Sequence, residues 1–254
     1  MNEESGVANI VDALGLASSG ELVAIVGGGG KSSLMFALAS QLTGRGVMTT
    51  TTRIFSEQMS SAAEVCTLAD ADWRARLDAF ESGLLVVGRV EGERAVGVPP
   101  ELPAEVLAHP RVTWVVVEAD GSRMLPVKAP AAHEPVIPVG TTLLVPVVGI
   151  DALLKPIAEI AHRPKRVCAI TGLAPEDRLT PTALAGLITA REGGLKNAAL
   201  AGRVAVLINK VESAAECALA REVAGPILRD PTVERVAIGA LLGGEAKGWV
   251  VCSR

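Results

Sequence analysis

The chain has no tyrosine, and aromatic residues make up only 2% of it. Proteins that bind single-stranded nucleic acid stack bases on aromatic side chains, so this composition argues against that class. No basic run is present either, and 24 Lys and Arg against 28 Asp and Glu give a net charge of -4. The sequence therefore predicts neither a nucleic-acid partner nor an anionic membrane surface as a partner.

Cysteines and long apolar segments are also sparse. The four cysteines are widely spaced and form no C-x-x-C pair, which argues against a zinc site or a disulfide framework. We expect them to be buried thiols in a reducing compartment. The apolar stretch at residues 141–154 is interrupted by a proline and an aspartate, and the first residues carry acids instead of a basic region. The expected location is cytoplasmic, without a signal peptide or a membrane span.

What the chain does contain is aliphatic. Hydrophobic residues make up 49% of its 254 positions, enough for a large core. Apolar runs alternate with helical patterns along most of the sequence, which is typical of βαβ units. We predict one α/β domain over residues 1–254, a three-layer sandwich with a mainly parallel sheet.

The pattern also places the main elements. Residues 84–98 read as an inserted β-hairpin that turns at Glu91-Gly92. The proline-rich residues 126–138 are expected to form an ordered surface loop. Strands are predicted at residues 21–26, 46–52, 112–118, 142–147, 166–170, 203–208 and 235–238, and helices at residues 9–16, 31–42, 182–191 and 214–228.

The strongest chemical motif is a glycine-rich turn between an apolar strand and a helix, with the sequence ELVAIVGGGGKSSLMFALA. Its glycines are Gly27, Gly28, Gly29 and Gly30. Glycines let the backbone approach a ligand closely, and the following helix directs free N–H groups at the same place. Lys31 would contact the β and γ phosphates of a nucleotide, Ser32 would ligate Mg²⁺, and Ser33 continues the phosphate-binding turn. The usual pattern G-x-x-x-x-G-K-[ST] has glycine where this chain has Ile25. A tight turn without a ligand is the alternative, but it does not require Lys and Ser after the last glycine.

A second motif follows the apolar strand that ends near residue 118. Glu118-Ala119-Asp120-Gly121 resembles the D-x-x-G switch of GTPases, with Glu118 at the aspartate position. An acid at the end of a strand can hold Mg²⁺, and the sequence does not decide whether Glu118 or Asp120 lies nearer to the metal. Glu118 and Asp120, with Lys31, are the predicted catalytic residues.

A third motif follows the apolar strand at residues 203–208. Asn209, Lys210 and Glu212 resemble the N-K-x-D motif that reads guanine, with glutamate in place of aspartate. The cofactors expected are thus Mg²⁺ and either GTP or ATP, with a modest preference for GTP. The alternative is a polar loop whose acid begins the next helix.

Several other polar residues lie at the carboxyl ends of predicted strands or in the loops that follow, and they could contact the γ phosphate or a second substrate. These are Thr51, Thr52, Arg53, Arg123, Lys128, His133 and Glu134. The alternatives are a solvated strand end for the threonines and an exposed polar loop for the charged residues. His109 and His162 have no metal-ligand spacing, so both are expected to be surface or capping residues.

Taken together, these segments resemble the YqeC family, accessory proteins of selenium-dependent molybdenum hydroxylases. The resemblance rests on VGGGGKSSLMFALA, the block Thr49-Thr50-Thr51-Thr52-Arg53, VVVEADGSRMLPVKAPAAHEPVIP, VVGIDALLKPI with the later His162-Arg163-Pro164, and the strand that ends in Asn209. It covers residues 20–240 approximately. It implies a P-loop NTPase fold and a role in maturing such a hydroxylase.

The predicted function is that of an Mg²⁺-dependent NTPase or nucleotide-driven transferase, with the hydroxylase or its cofactor as a further partner. Two alternatives stay open at this point. One is a nucleotide-regulated delivery or client-binding module with little hydrolysis, and the other is a small-molecule kinase. A base or a water-positioning residue would separate these classes, and no motif in the sequence identifies one. The oligomeric state is likewise open.

Overall fold

Eight parallel strands form most of a ten-stranded sheet in the computed structural model, which describes residues 1–241 and 248–254. Within those ranges the strands are β1 (Asn2–Val7), β2 (Glu21–Gly27), β3 (Gly46–Thr50), β4 (Ile54–Phe55), β5 (Glu64–Thr67), β6 (Leu84–Val87), β7 (Arg89–Glu91), β8 (Arg94–Val96), β9 (Trp114–Glu118), β10 (Val127–Lys128), β11 (Leu143–Gly149), β12 (Ala161–His162), β13 (Arg203–Asn209), β14 (Val233–Ile238) and β15 (Trp249–Ser253). The α-helices are α1 (Ile10–Leu14), α2 (Lys31–Gln41), α3 (Ser56–Met59), α4 (Trp73–Ala79), α5 (Leu102–Leu107), α6 (Ile157–Ile160), α7 (Pro164–Thr171), α8 (Pro181–Thr189) and α9 (Ala214–Ile227).

The order of strands in the large sheet is β1-β15-β14-β13-β11-β2-β9-β3-β6-β5. The strands from β14 to β5 run parallel, and β15 and β1 add an antiparallel edge. Two small sheets accompany it, β10-β12 and β4-β8-β7. The predicted α/β class with a mainly parallel sheet is confirmed.

Strand β2 shows how the sheet is covered on both faces. Val23 and Ile25 pack in one apolar cluster with residues of α1 and α2. Ala24 and Val26 point the other way, into a cluster that contains residues of α8 and α9. Alternate side chains of a strand face opposite sides of a sheet, so a strand buried between two helical layers is apolar throughout. The architecture is therefore an α/β sandwich.

The parallel arrangement brings the carboxyl ends of several strands to one edge, where open α/β sheets place ligands. In the register of the sheet, Glu118 at the end of β9 lies between Ile25 of β2 and Thr50 of β3. Gly149 at the end of β11 is paired with Asn209 at the end of β13. The loops that follow these strands carry the glycine-rich, acidic and asparagine motifs.

Three predictions about elements need correction. The predicted strand at residues 166–170 is part of helix α7, which begins with Pro164 and ends at Gly172 in the left-handed conformation. The hairpin predicted for residues 84–98 is shorter, because Leu84–Val87 joins the main sheet and only β7 and β8 form the hairpin. The proline-rich segment is ordered, but much of it is buried instead of lying on the surface.

Two expectations about the environment of the chain can be compared with the structure. Among the described residues, no helix has the length and apolar character that crossing a membrane requires. All four cysteines are free thiols, of which Cys66 and Cys252 are buried. Burial raises the pKa of Cys66 to about 11, so this thiol is protonated and inert at neutral pH.

Candidate functional site

The glycine-rich loop (residues 27–30) is pressed between two neighbouring loops. Gly27, Gly29 and Gly30 have positive φ angles of 96°, 74° and 123°. A Cβ atom at Gly28 would lie 2.5 Å from the carbonyl oxygen of Leu125, and one at Gly29 would lie 2.1 Å from the backbone nitrogen of Gly149. Close approach of the neighbouring backbone excludes a side chain at Gly28 and Gly29, and the positive φ at Gly29 also favours glycine.

Helix α2 begins directly after this loop at the rim of a cavity of about 430 Å³. Its N-cap, Gly30, provides no side-chain cap. The backbone N–H groups of Lys31, Ser32 and Ser33 belong to the first turn, where an α-helix offers no internal acceptor. These three residues line the cavity, so the positive end of the helix dipole faces it.

Lys31 is buried, with an exposed fraction of 4%, and its ammonium group lies among oxygen atoms. Its Nζ donates to the carbonyl oxygen of Gly27 at 3.0 Å and to Oγ of Ser122 at 3.1 Å. It also forms ion pairs with Glu118 at 3.6 Å and Asp120 at 3.5 Å. The lysine of the loop is thus held beside the two acids that the sequence predicted near it.

Glu118 and Ser32 form the side of the site that suits a hard cation. The hydroxyl of Ser32 donates to Oε2 of Glu118 at 2.8 Å, and Gln58 of α3 donates to the same hydroxyl oxygen. Both Ser32 and Glu118 line the cavity. Hydroxyl and carboxylate oxygens are suitable Mg²⁺ ligands, and the open cavity leaves room for the water and phosphate oxygens that complete its coordination.

Asp120 faces away from this position. Its two carboxylate oxygens accept from the backbone N–H of Gly27, each at 3.1 Å, and Oδ2 pairs with Lys128 at 2.9 Å. Asp120 is not among the residues that line the cavity. The geometry therefore brings Glu118 nearer than Asp120 to Ser32, and Asp120 connects the glycine-rich loop to the loop that follows β9.

Lys128 and Glu134 continue the chain of buried charges. The Nζ of Lys128 donates to the carbonyl oxygen of Gly121 and to Glu134, each at 2.7 Å. Arg163 makes a two-pronged contact with the Glu134 carboxylate at 2.8 and 3.0 Å. Burial alone would raise the pKa of Glu134, but the hydrogen bonds and charges of Arg163 and Lys128 lower it to about 2. The ammonium group of Lys128 thus contacts oxygen atoms of Gly121, Glu134 and Asp120, and it links the segments that carry them.

Strained backbone is concentrated around the same cavity. Among residues 1–241 and 248–254, six residues other than glycine have positive φ, and four of them line the cavity. Those four are Arg123, Met124, Arg163 and Lys210. Met124 is 83% exposed despite its apolar side chain. Left-handed conformations at non-glycine residues cost free energy and tend to persist at functional sites.

The three residues of the asparagine motif lie in different surroundings. Asn209 is buried, donates to the carbonyl oxygen of Gly29 at 2.7 Å and accepts from the N–H of Leu241 at 3.1 Å. Lys210 lines the cavity and pairs with Asp151 at 2.9 Å. Glu212 is exposed, lies two residues before α9 begins and lines neither of the two cavities. Asn209 therefore braces the glycine-rich loop, and base reading by Glu212 stays a prediction.

The remaining predicted residues fall into two groups. Thr52, Arg53 and Arg123 line the cavity. The hydroxyl of Thr51 instead donates to the carbonyl oxygen of Val136 at 2.6 Å, and His133 is exposed away from the cavity.

Sequence reasoning missed several lining residues, and His162 is the most consequential. It was expected at the surface or at a helix cap, but its ring lines the cavity and Nδ1 lies 3.2 Å from the carbonyl oxygen of Gly121. Burial and the charges of Arg163 and Lys128 lower its pKa. The other missed residues are Gln58, Arg94, Ser122, Met124 and Arg163.

A second cavity of about 500 Å³ adjoins the first along α2 and shares Ser32, Ser33 and Gln58 with it. Phe36 and Leu241 contribute apolar surface there. Within residues 1–241 and 248–254, no three His, Cys, Asp or Glu side chains gather as a metal-binding cluster. A cation at Ser32 and Glu118 would accordingly depend on a ligand for part of its coordination.

Comparisons with known proteins find a matching family model and a relative of this chain. The model of the YqeC protein family matches residues 23–165, a range that contains the glycine-rich loop, the acids and His162. A protein of Escherichia coli (strain K12), described as uncharacterized protein YqeC, is 32% identical over 235 residues, covering 89% of this chain and 90% of that protein. No solved structure matches the chain.

Proposed function

This chain belongs to the YqeC family, and we propose that it binds a Mg²⁺–nucleoside triphosphate and uses it as an NTPase or nucleotide-driven transferase. The observation that carries the proposal is the meeting of Lys31, Ser32 and Glu118 at the uncapped start of α2, inside one cavity. A helix N-terminus with a lysine, a hydroxyl and a carboxylate supplies the parts that phosphate and Mg²⁺ require. The P-loop type of fold is part of the proposal.

Each residue of the site has its own role in the proposed binding of phosphate and Mg²⁺. The N–H groups of Lys31, Ser32 and Ser33 would bind phosphate oxygens, with the Lys31 ammonium between the terminal phosphates. Ser32 and Glu118 would hold Mg²⁺, which would neutralise phosphate charge when bound. Asp120 would keep Gly27 and Lys31 in position.

Charge balance around the cavity also supports an anionic ligand. The connected buried network contains three cations, Lys31, Lys128 and Arg163, and three anions, Glu118, Asp120 and Glu134, so its own charges cancel. Additional arginines lie at the cavity. One of them, Arg123, makes no ion pair with any described residue. This cation at the cavity favours the negative charge that remains on a Mg²⁺–nucleoside triphosphate.

The base and the biological role extend this proposal. GTP and ATP both stay candidates, since Asn209 is occupied in bracing the loop and Glu212 lies outside the cavity. The family resemblance suggests that the nucleotide-dependent step assists maturation of a selenium-dependent molybdenum hydroxylase in the cytoplasm. That hydroxylase or its molybdenum cofactor would then be the second partner.

The direct test is calorimetric titration of the protein with ATP and with GTP, each with and without Mg²⁺. Lys31→Ala removes a charge-assisted phosphate contact worth about 1.5 to 3 kcal/mol, so the affinity should fall about tenfold to a hundredfold. Lys165→Ala is the matched control, because Lys165 is an exposed lysine in the first turn of α7 and does not line the cavity. Equal affinity of Lys31→Ala and the wild type would refute the assignment.

A further inference from the structure

The proposed function leaves one chemical question, which is whether the site can activate a nucleophile. The most buried charged side chains of the site already have hydrogen-bond or ion-pair partners. Lys31 and Lys128 are cations that only donate, and Asp120 is bonded to Gly27 and Lys128. Glu134 is held by Arg163 and Lys128, and its pKa of about 2 makes it a very weak base.

His162 is placed differently, on the two-stranded sheet β10-β12, and it lines the same cavity as the proposed phosphate site. Strand β12 pairs with β10, so that His162 lies opposite Lys128. The backbone carbonyl of His162 accepts from the N–H of Ala129, and Arg163 follows in the left-handed conformation before α7 begins. The ring position is thus determined by backbone pairing on one side and a tight turn on the other.

The tautomer of His162 follows from its partner. A carbonyl oxygen can only accept, so the contact of 3.2 Å between Nδ1 and the oxygen of Gly121 requires the proton on Nδ1. The same oxygen also accepts from Lys128. In the neutral ring Nε2 therefore carries the lone pair, and no side chain in the described part of the chain hydrogen-bonds to it.

The surroundings keep the ring neutral. His162 is partly buried, and the cations Arg163, Lys128 and Arg123 face it from its own turn, from β10 and from the loop after β9. Burial and these charges lower the pKa of His162, which Glu134 does not reverse because Arg163 and Lys128 already balance it. At neutral pH this histidine is a base with a free nitrogen.

Its position is close to the end of the phosphate site. Gly121 holds Nδ1 of His162, and the next residue, Ser122, accepts from Nζ of Lys31 at 3.1 Å. His162 and Lys31 line the same cavity. We propose that His162 is the general base that activates water for attack on the terminal phosphate, which makes this protein a nucleoside triphosphatase. The inference rests on the proposed nucleotide site.

The step balances with water as the only co-reactant. A lone pair of the water oxygen forms a bond to the terminal phosphorus while the bond from that phosphorus to the bridging oxygen breaks. The bonding pair stays with the departing nucleoside diphosphate, and one water proton passes to Nε2 of His162. The proton then leaves to solvent and restores the neutral ring. General bases of this kind accelerate reactions by about a hundredfold to ten-thousandfold.

The test compares wild type with His162→Asn under single-turnover conditions, with protein in excess over Mg²⁺-ATP or Mg²⁺-GTP. The asparagine amide can still donate to Gly121 but cannot accept the proton, so the brace is kept and the base is lost. We expect nucleotide affinity within about threefold of wild type and phosphate release at least about a hundredfold slower. His109→Asn, a histidine substitution away from the cavity, should leave both unchanged.

Two further measurements distinguish a general base at position 162 from a residue that only holds the structure in place. The wild-type rate should fall as the pH drops through the pKa of His162, and this acid limb should be missing in His162→Asn. Nitrogen NMR of the imidazole should show the Nδ1–H tautomer at pH 7. Nucleotide binding without hydrolysis, or hydrolysis that survives in His162→Asn, would overturn this inference alone. Absence of nucleotide binding by the wild type would overturn the proposed function itself.

Discussion

At the scale of single residues, Glu118 and Asp120 illustrate how partners separate two similar side chains. The carboxylates follow one strand and both lie within 3.6 Å of Lys31. Glu118 accepts from the hydroxyl of Ser32, whereas Asp120 accepts from the backbone of Gly27 and pairs with Lys128. Glu118 therefore faces the cavity, and Asp120 holds neighbouring parts of the protein together.

This division predicts different defects in Glu118→Gln and Asp120→Asn. Glu118→Gln should raise the free Mg²⁺ concentration that supports half-maximal nucleotide binding at least about tenfold, with little loss of stability. Asp120→Asn should lower the free energy of unfolding by about 3 to 5 kcal/mol, because Lys31 and Lys128 lose a shared buried counter-ion. Titrations at varied Mg²⁺ and denaturant melts measure the two effects. If Asp120→Asn changed Mg²⁺ dependence more than Glu118→Gln, the assignment would be reversed.

Glu134 gives a prediction about pH. Its pKa is lowered to about 2 in the folded protein, against an ordinary value near 4.5. Above pH 4.5 the carboxylate is charged in both states, so its stabilisation is complete. Between pH 4.5 and about 2 the unfolded chain takes up the proton first, and the stabilisation is progressively lost.

The measurement is the free energy of unfolding between pH 7 and pH 2.5. Glu134→Gln should lower stability at pH 7, since it leaves Lys128 and Arg163 without their carboxylate, and it should flatten the decline below pH 4.5. Glu176→Gln serves as the control, since Glu176 is an exposed acid outside the cavity. An equally steep decline in wild type and Glu134→Gln would show that this carboxylate does not carry the linkage.

At the scale of elements, local sequence rules succeed where a strand or helix is determined by its own residues. The apolar run of β2 and the four glycines after it predict that α2 begins at Lys31, as the structure has it. Glycine is required in this loop because neighbouring backbone approaches it too closely for a side chain. The strand predicted at residues 166–170 is wrong because the short apolar run at residues 167–170 was interpreted without the residues that flank it. Pro164 at the first turn and Gly172 after the last turn are the signals of a helix.

The position of His162 shows what local rules cannot supply. Nothing within a few residues of it indicates a ligand, because its neighbours in space are Gly121 and Lys128, more than thirty positions earlier. The contact exists only after β12 has paired with β10. The surroundings of Lys128 show the same limit, since its burial against Asp120 and Glu134 depends on the tertiary path of the proline-rich segment. Residue type indicates which side chains are candidates for chemistry, and packing determines which of them face the cavity.

At the scale of the whole molecule, the two ends of the chain close one edge of the sheet. Strand β1 pairs with β15, which in turn pairs with β14. No strand was predicted at either end. Strand β1 is polar and almost entirely exposed, so it carries no alternating apolar pattern. Strand β15 is largely apolar and was overlooked. The cavity lies elsewhere, at the carboxyl ends of the central strands, where loops from both halves of the sheet meet.

This position predicts how a ligand affects the entire fold. Loops after β2, β3, β9 and β13 and the β12–α7 turn all contribute to the cavity, so a bound nucleotide would contact segments that otherwise separate on unfolding. A ligand at a hundred times its dissociation constant stabilises the native state by about 2.7 kcal/mol. For a chain of this size that corresponds to a rise in Tm of about 5 to 10 °C. Thermal melts with Mg²⁺ alone, nucleotide alone and both together measure it. We expect the full rise only with both and a much smaller one in Lys31→Ala at the same concentrations. A Tm that does not respond to Mg²⁺ and nucleotide together would show that this cavity does not bind them.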